Sequence, residues 1–467
     1  MSPRIRLAVV VVLALLVFAG GISLATRHKW TASETRGARG EYEARSDKEG
    51  KAPELPELDL QALLVDPTQA YDADAMALKY AFGDAVILVS YQTAGNMENC
   101  GCSPIQLGGV AARGALITGV RKRRPTLVID LGAITDGSDS FNLLKARYVL
   151  KAMDLAAYDA IGLGVAELSL EPADLREFLR ATATAYYCGN AYASGWQPPD
   201  NWEKRYENRE LLPILAAADL PSLAGDGTNT AQGIAPPGFV WEVKSHRVGV
   251  LFLNFTGLSK PDLNLPGYRL AHPGEWLRVW SEQERWKLAD TWVLAAEGYS
   301  AQVAAVTTDY PQLSLILTGD SHPAGRSEEE MLKPVETENG ATWLNTFNYG
   351  GYLGLANVGW GARSTGKASF DAYNLPVIST FVPDERIREL VKGEFHDALA
   401  AVFPQQSFKY RAATIIPPED CRQCHRQAYE TFKKSAHPQS LATLQAKGQE
   451  QNAECLSCHV VDRKSVV

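Results

Sequence analysis

Short apolar, β-rich runs recur through the middle of this chain, and each is followed by a stretch long enough to make a helix. Ala85–Ser90 reads Ala-Val-Ile-Leu-Val-Ser, and Thr126–Asp130, Asp159–Leu163, Val248–Asn254 and Leu313–Leu317 repeat the pattern. Ala112–Val120 and the amphipathic Leu143–Leu155 have helical spacing. Strands alternating with helices build an α/β layered domain. With 467 residues, 46% of them hydrophobic, the chain can bury such a core and still hold other units. At roughly 150 residues per domain, about three units are expected. This composition excludes a disordered or collagen-like chain. A net charge of −8 lacks the basic field a general nucleic-acid binder needs, so nucleic acid is excluded as a partner. Pro198–Phe239, rich in Pro, Gly, Asp and Asn, reads as a surface insertion, and no repeat period is present.

Arg4 and Arg6 precede an uncharged run from Leu7 to Ala25, the pattern of an export segment with nearly the length of a bilayer-spanning helix. Ser23-Leu24-Ala25 offers a small-x-small cleavage site, and Arg27, His28 and Lys29 weaken the charge asymmetry. Residues 1–29 are therefore read as a single membrane-anchor helix or a signal peptide, the anchor being preferred for the length of the run. Either way the rest of the chain is expected on the periplasmic side of a bacterial inner membrane, or free in the periplasm after cleavage. Residues 30–83 begin with the charged, aperiodic Trp30–Asp59 and read as a tether.

Active groups in open α/β sheets lie just beyond the carboxyl ends of strands. Here those loops read Tyr91-Gln-Thr-Ala-Gly95, Leu131-Gly-Ala-Ile134, Gly164-Val-Ala-Glu-Leu168 and Thr318-Gly-Asp-Ser-His322. Their order, with Gly108-Gly-Val-Ala-Ala-Arg113 and Tyr349-Gly-Gly-Tyr-Leu-Gly354, resembles the calcineurin-like metallophosphoesterases, in particular the periplasmic 5'-nucleotidase branch. The resemblance covers residues 84–382 and implies a four-layer sandwich whose loops hold two divalent metals. It also shows departures. Gln92 and Ala94 stand where the family has Asp and His, Ala133 where it has Asp, and Val165 and Ala166 where it has Asn and His. Asp320 replaces a His, leaving His322. Alanine and valine carry no donor atoms, so the two-metal centre is not expected to assemble. Glu167, Asp320 and His322 are left either as ligands of one weak metal or as a solvated remnant.

The seven cysteines matter by placement, since six of the seven lie in three short motifs. Cys100-Gly-Cys102 brings two thiols together. In an exported protein such a pair is a dithiol redox couple, a soft-metal site or a structural disulfide. Cys188 stands alone, either simply buried or a resolving thiol for that pair. Cys421-Arg-Gln-Cys424-His425 and Cys455-Leu-Ser-Cys458-His459 are two copies of Cys-x-x-Cys-His, the attachment pattern of c-type haem. Both thiols add to the vinyl groups of one haem and the adjacent His becomes the proximal iron ligand. The competing reading is a four-cysteine zinc site. The His after each second Cys and the export segment favour two haems c.

Between these copies, Tyr429-Glu-Thr-Phe-Lys-Lys-Ser-Ala-His437-Pro-Gln-Ser-Leu-Ala-Thr-Leu444 resembles the inter-haem segment of the cytochrome c-554 multihaem family. That resemblance implies His437 as a distal axial ligand. Two six-coordinate haems need a second distal ligand, for which His396 is the next candidate. Residues 383–410, helical in spacing over Asp384–Val402, are read as a linking helix, and 411–467 as a small, mainly helical or irregular dihaem cytochrome segment.

The sequence thus reads as an exported, membrane-tethered dihaem electron-transfer protein. It would serve periplasmic or membrane electron-transfer partners and carry a phosphoesterase-like domain that has lost its metal pair. Two other readings stay open: a metal-dependent 5'-nucleotidase with a haem appendage, and a non-enzymatic haem-carrying binding protein.

Overall fold

The computed structural model describes residues 73–98, 107–193, 235, 237–258, 263–282, 284–319, 337–338, 340–346, 350–360, 367–378, 381–402, 426–434 and 439–446. The chain divides between Glu57 and Leu58, and all the described residues belong to the second unit. The export segment and the first part of the tether lie outside them. Among the described residues no helix is long and apolar enough to cross a membrane.

In chain order the elements are α1 (Ala73–Tyr80), β1 (Ala85–Ser90), α2 (Val110–Arg121), β2 (Thr126–Asp130), α3 (Ser140–Leu155), β3 (Ala160–Gly162), α4 (Val165–Leu168), α5 (Pro172–Leu179), β4 (Ala185–Tyr187), β5 (Ala191–Ala193), β6 (Gly238–Val243) and β7 (His246–Asn254). They continue with β8 (Tyr268–Leu270), α6 (Pro273–Glu282), β9 (Thr291–Glu297), α7 (Ser300–Thr307), β10 (Leu313–Gly319), β11 (Thr337–Glu338), β12 (Ala341–Thr346), β13 (Tyr352–Gly359), β14 (Ser369–Pro376), α8 (Glu385–Leu390), a π-turn (Val391–Phe395), α9 (His396–Val402), α10 (Arg426–Lys434) and α11 (Ser440–Ala446).

Two sheets result, ordered β14-β13-β1-β2-β3-β4 and β11-β12-β10-β9-β7-β6. The centres of both are parallel; antiparallel strands β13 and β14 finish one edge of the first sheet, whose other edge strand β4 is parallel, and β6 and β11 finish the two edges of the second. Successive side chains of a strand point to opposite faces. Ile87 and Val89 of β1 and Leu127 and Ile129 of β2 accordingly meet Val250 and Phe252 of β7, Val293 and Ala295 of β9, and Leu315 and Leu317 of β10 in one cluster. The intervening residues Leu251, Leu253, Leu294 and Ala296 face outward and pack against Trp276, Leu277 and Trp280 of α6 and Val303 of α7. On the far side α2 packs against β2, α1 and α3. The order is helix, sheet, sheet, helix, the four-layer α/β sandwich expected from the sequence. It explains why β1 is buried at every position and apolar from Ala85 to Val89: both of its faces are covered.

Local chemistry moves some boundaries. Helix α3 starts at Ser140, ahead of the expected Leu143, because the Asp139 carboxylate accepts the N–H groups of Phe141 and Asn142 at 3.0 Å each. The expected insertion ends earlier than Phe239, because Gly238–Val243 forms edge strand β6 against β7. The linking helix runs from Glu385 to Val402 and is interrupted by the π-turn, which buries Val391 and Phe395 together. Phe395 lies 5.4 Å from the Tyr148 ring of α3.

Candidate functional site

The loops that leave β1 and β2 are zipped together. The Gln92 N–H donates to Gly132 O at 3.0 Å, Ala94 N–H to Ala133 O at 3.0 Å, and Gly95 N–H to Ile134 O at 2.7 Å. Within this zipper Gln92, Ala94 and Ala133 adopt left-handed backbone, with φ of 51°, 50° and 57°. Such a conformation costs a residue bearing a Cβ about 1–2 kcal/mol, so it persists only where surrounding bonds impose it. These are three of the positions at which the sequence departs from metal-ligating residue types. The backbone keeps a special shape there while the side chains carry no carboxylate or imidazole.

The third loop is held by Glu167 of α4, which is fully buried. Its carboxylate accepts the N–H groups of Ala133 (3.0 Å), Ile134 (2.7 Å), Thr135 (3.2 Å) and Gly164 (2.9 Å). Burial pushes its pKa above the ordinary carboxylate value, against these amide bonds, which favour the anion. Glu167 is thus engaged with the second loop rather than open to a metal. Gly164 must be glycine, since a Cβ would sit 2.7 Å from Ala133 N and 2.8 Å from a Glu167 oxygen.

The strand ends of the second sheet contribute residues that sequence reasoning missed. Glu297, at the end of β9, accepts Val165 N–H at 2.7 Å and the Asn254 side-chain amide at the end of β7. Asn190 ties this pair to the next loop: its Oδ1 accepts Asn254 N–H, and its Nδ2 donates to the carbonyls of Asn254 and Ala271, each at 2.8 Å. The available signal was a polar residue closing a buried apolar run, as in Leu-Phe-Leu-Asn254 and Leu-Ala-Ala-Glu297.

Between the sheets at this end, the space is filled by carbon. A Cβ at Gly319, the last residue of β10, would lie 2.5 Å from the Tyr91 ring, so that ring rests directly on the β10 backbone. Tyr91 and Ala133 belong to the inter-sheet hydrophobic cluster, and Ala166 packs against it. Among the described residues no group of three or more His, Cys, Asp or Glu could hold a metal ion. Asp320 and His322 lie outside the described residues. The donor set that the described loops present does not fit a two-metal centre.

Beneath the loops runs a buried polar network. The Ser90 hydroxyl donates to Asp130 at 2.5 Å and lies 2.9 Å from the Tyr158 hydroxyl, and Gly132 N–H donates to Asp130 at 2.8 Å. Burial raises the Asp130 pKa to about 7, against the hydrogen bonds and the positive charge of Arg113. An unfolded Asp titrates near ~3.9. The folded chain therefore retains a proton between about pH 4 and about pH 7 that the unfolded chain releases. Stability from this group is full below that window and is lost as pH rises through it. Asp130→Asn is expected to gain relative to wild type on going from about pH 5 to about pH 8 in paired urea unfolding curves, and a constant difference would contradict the assignment.

Of the other residues singled out, Cys188 is buried, its sulfur 3.8 Å from Asn190 Oδ1, and burial pushes its thiol up to about 12. It stays protonated at neutral pH and is unsuited to attack a disulfide. His396 Nε2 lies 3.0 Å from Glu98 Oε2, so the second distal-ligand candidate is engaged by the first loop. Cys100, Cys102, Cys421, Cys424, His425, His437, Cys455, Cys458 and His459 all lie outside the described residues. Helix α10 begins at Arg426, directly after the first haem motif, and α11 at Ser440, just past His437.

Residues 420–466 match the family model described as cytochrome c554 and c-prime. A search of the curated proteins found no match. Among solved structures, a 5'-nucleotidase precursor from Thermus thermophilus aligns with a TM-score of 0.52 at 19% identity, over 68% of this chain and 59% of that one. The sulfate thiohydrolase SoxB of Thermus thermophilus, in complex with glycerol, aligns with a TM-score of 0.50 at 16% identity, over 70% and 61%.

The large domain has the 5'-nucleotidase-type fold. At these identities the likeness is one of fold alone, and the alignments span under two thirds of those two proteins. The nucleotidase-like domain and the cytochrome c554-type segment are the two parts that the sequence resemblances anticipated.

Proposed function

We propose that this chain is an exported, membrane-tethered electron-transfer protein. Two haems c sit in its cytochrome c554-type segment, and its nucleotidase-like domain works without a two-metal centre. The observation that carries the reading is the doubled Cys-x-x-Cys-His inside the region matched by the cytochrome model. The donor set suits the group: two thiols for thioether bonds and an imidazole for iron, twice over. Cys421, Cys424 and His425 would hold one haem and Cys455, Cys458 and His459 the other, with His437 as a distal ligand. Haem supplies one-electron transfer, and the polypeptide tunes its potential through axial ligand and burial. Cys100 and Cys102 form a dithiol that becomes a disulfide by giving up two electrons and two protons, matching one electron to each of two haems. The partners are periplasmic or membrane electron carriers, and the N-terminal segment holds the chain at the membrane.

Against phosphoester hydrolysis stand the apolar side chains of Ala133 and Ala166 and the Tyr91 ring between the sheets. The test uses the full chain made in a host that matures c-type cytochromes. A pyridine haemochrome assay on denatured protein is expected to give two covalent haems per chain, with no phosphate release from nucleotides in Mn or Zn. Colourless protein defeats the electron-transfer reading, and robust nucleotidase turnover restores the hydrolase reading.

A further inference from the structure

His396 combines a fixed position with a half-used ring. The linking helix that carries it is seated on the nucleotidase-like domain. Asp384 N–H donates to Ala111 O of α2 at 3.0 Å, Ile387 occupies the space left by Gly114, and Lys151 of α3 pairs with Glu394 at 3.1 Å. The π-turn adds one residue to this helix, so α9 is rotated by about 100° from the course of an unbroken one. On that course Phe395 is buried against Tyr148, and His396 reaches Glu98. Glu98 follows Met97, a buried residue whose carbonyl accepts Val110 N–H at 3.0 Å, so both ends of the contact are held.

The contact uses one ring nitrogen, His396 Nε2, which lies 3.0 Å from Glu98 Oε2. An ionised carboxylate only accepts hydrogen bonds, so the neutral ring carries its proton on Nε2 and its lone pair on Nδ1. Nδ1 has no partner among the described residues, and the side chain is 34% exposed. A metal-bound imidazole is commonly built this way: one nitrogen donates to a carboxylate, which fixes the tautomer and raises the basicity of the ligating nitrogen. The other histidines of the described residues differ. His272 Nδ1 accepts Gly274 N–H at 3.1 Å, which places that ring's proton on Nε2 and leaves no lone pair for a metal. His246 lies flat on Trp360, ring centres 4.5 Å apart and planes at 2°, and no carboxylate bonds it among the described residues.

The haem side has a matching need. Two six-coordinate haems take two distal ligands, and within the matched residues 420–466 His437 is the histidine outside the haem motifs. His396 stands about 25 residues before Cys421, a length of chain that spans up to about 80 Å, so the connection permits a haem to reach it.

We infer that His396, oriented by Glu98, is the distal axial ligand of one of the two haems. The inference rests on the dihaem reading and deepens it. The nucleotidase-like domain supplies a ligand to the iron, and the first loop, which continues into Cys100, touches that ligand through Glu98. This gives the domain a part in electron transfer that needs no metal pair of its own.

The test is visible and electron paramagnetic resonance spectroscopy of the full, oxidised, haem-matured chain. Wild type is expected to show two low-spin ferric haems. His396→Ala is expected to halve the low-spin signal with the covalent haem count unchanged, and added imidazole to restore it, a rescue that a merely structural role would not give. Glu98→Gln keeps an acceptor for Nε2 but no charge. Both haems are then expected to stay low-spin while one midpoint potential rises, because a less basic ligand favours ferric iron less. Thermal unfolding followed by circular dichroism establishes that each variant is folded, and if His396→Ala is not, Glu98→Gln decides. A colourless wild-type chain removes the dihaem reading and this inference with it. Two covalent haems whose spin states ignore a folded His396→Ala, or whose potentials ignore Glu98→Gln, or one of which is high-spin in wild type, overturn the inference alone.

Discussion

Glu167→Ala is expected to cost the nucleotidase-like domain most of its stability. The carboxylate is fully buried and accepts four backbone N–H groups, from Ala133, Ile134, Thr135 and Gly164. Alanine leaves all of these donors in a space closed to water. A buried unsatisfied polar group costs about 1–3 kcal/mol, and hydrogen bonds to charged groups stand at the upper end. The sum exceeds about 4 kcal/mol, against a total of about 5–15 kcal/mol for an ordinary domain. Glu167→Gln keeps one acceptor oxygen but turns an amide toward N–H groups, so an intermediate loss of about 2–3 kcal/mol is expected. Urea unfolding followed by tryptophan fluorescence checks both. A Glu167→Ala variant within about 1 kcal/mol of wild type would show that the loop amides find other partners.

Replacing Cys421 and Cys424 together by alanine is expected to halve the covalent haem content, and replacing Cys455 and Cys458 as well to abolish it. On the proposed assignment each pair would supply both thioether bonds of its own haem, so the two losses would be independent rather than graded. Pyridine haemochrome absorbance per chain, measured after acid denaturation to remove loosely held porphyrin, reads the count directly. If His437 is the distal ligand proposed for it, His437→Ala is expected to leave that count unchanged while converting one haem from low-spin to high-spin in the visible spectrum. A colourless protein carrying one zinc per chain in place of iron would favour the four-cysteine alternative.

The strands that could be read in advance were those buried on both faces, such as β1, whose Ala-Val-Ile-Leu-Val-Ser leaves little choice. The antiparallel edge was opaque for a physical reason. β13 reads Tyr-Leu-Gly-Leu-Ala-Asn-Val-Gly, with a glycine at its third position that weakens any strand pattern. Gly354 is there because a Cβ would come 2.5 Å from Val89 Cγ1 and 2.6 Å from Thr346 Oγ1, a crowding visible only once three strands are assembled. β14 is interrupted by Asp371 and Asn374 and has no continuous apolar run. At the site, the first three loops were located correctly because each directly follows a readable strand. The Asn190–Asn254–Glu297 chain was not, because its members lie 43 and 64 residues apart and meet only through the packing of the second sheet. Nor does residue identity reveal that Tyr91 lays its ring on Gly319, or that a π-turn precedes a histidine bonded to Glu98.

The left-handed residues Gln92, Ala94 and Ala133 have an implication for redesign. Their main-chain torsions are already of the kind that aims short side chains off a tight bend, and the interloop ladder of backbone hydrogen bonds fixes them. Rebuilding a hydrolytic centre in this scaffold therefore reduces to exchanging side chains on an existing template. Tyr91 is the bulky obstacle between the sheets, and the first two loops already have the backbone shape.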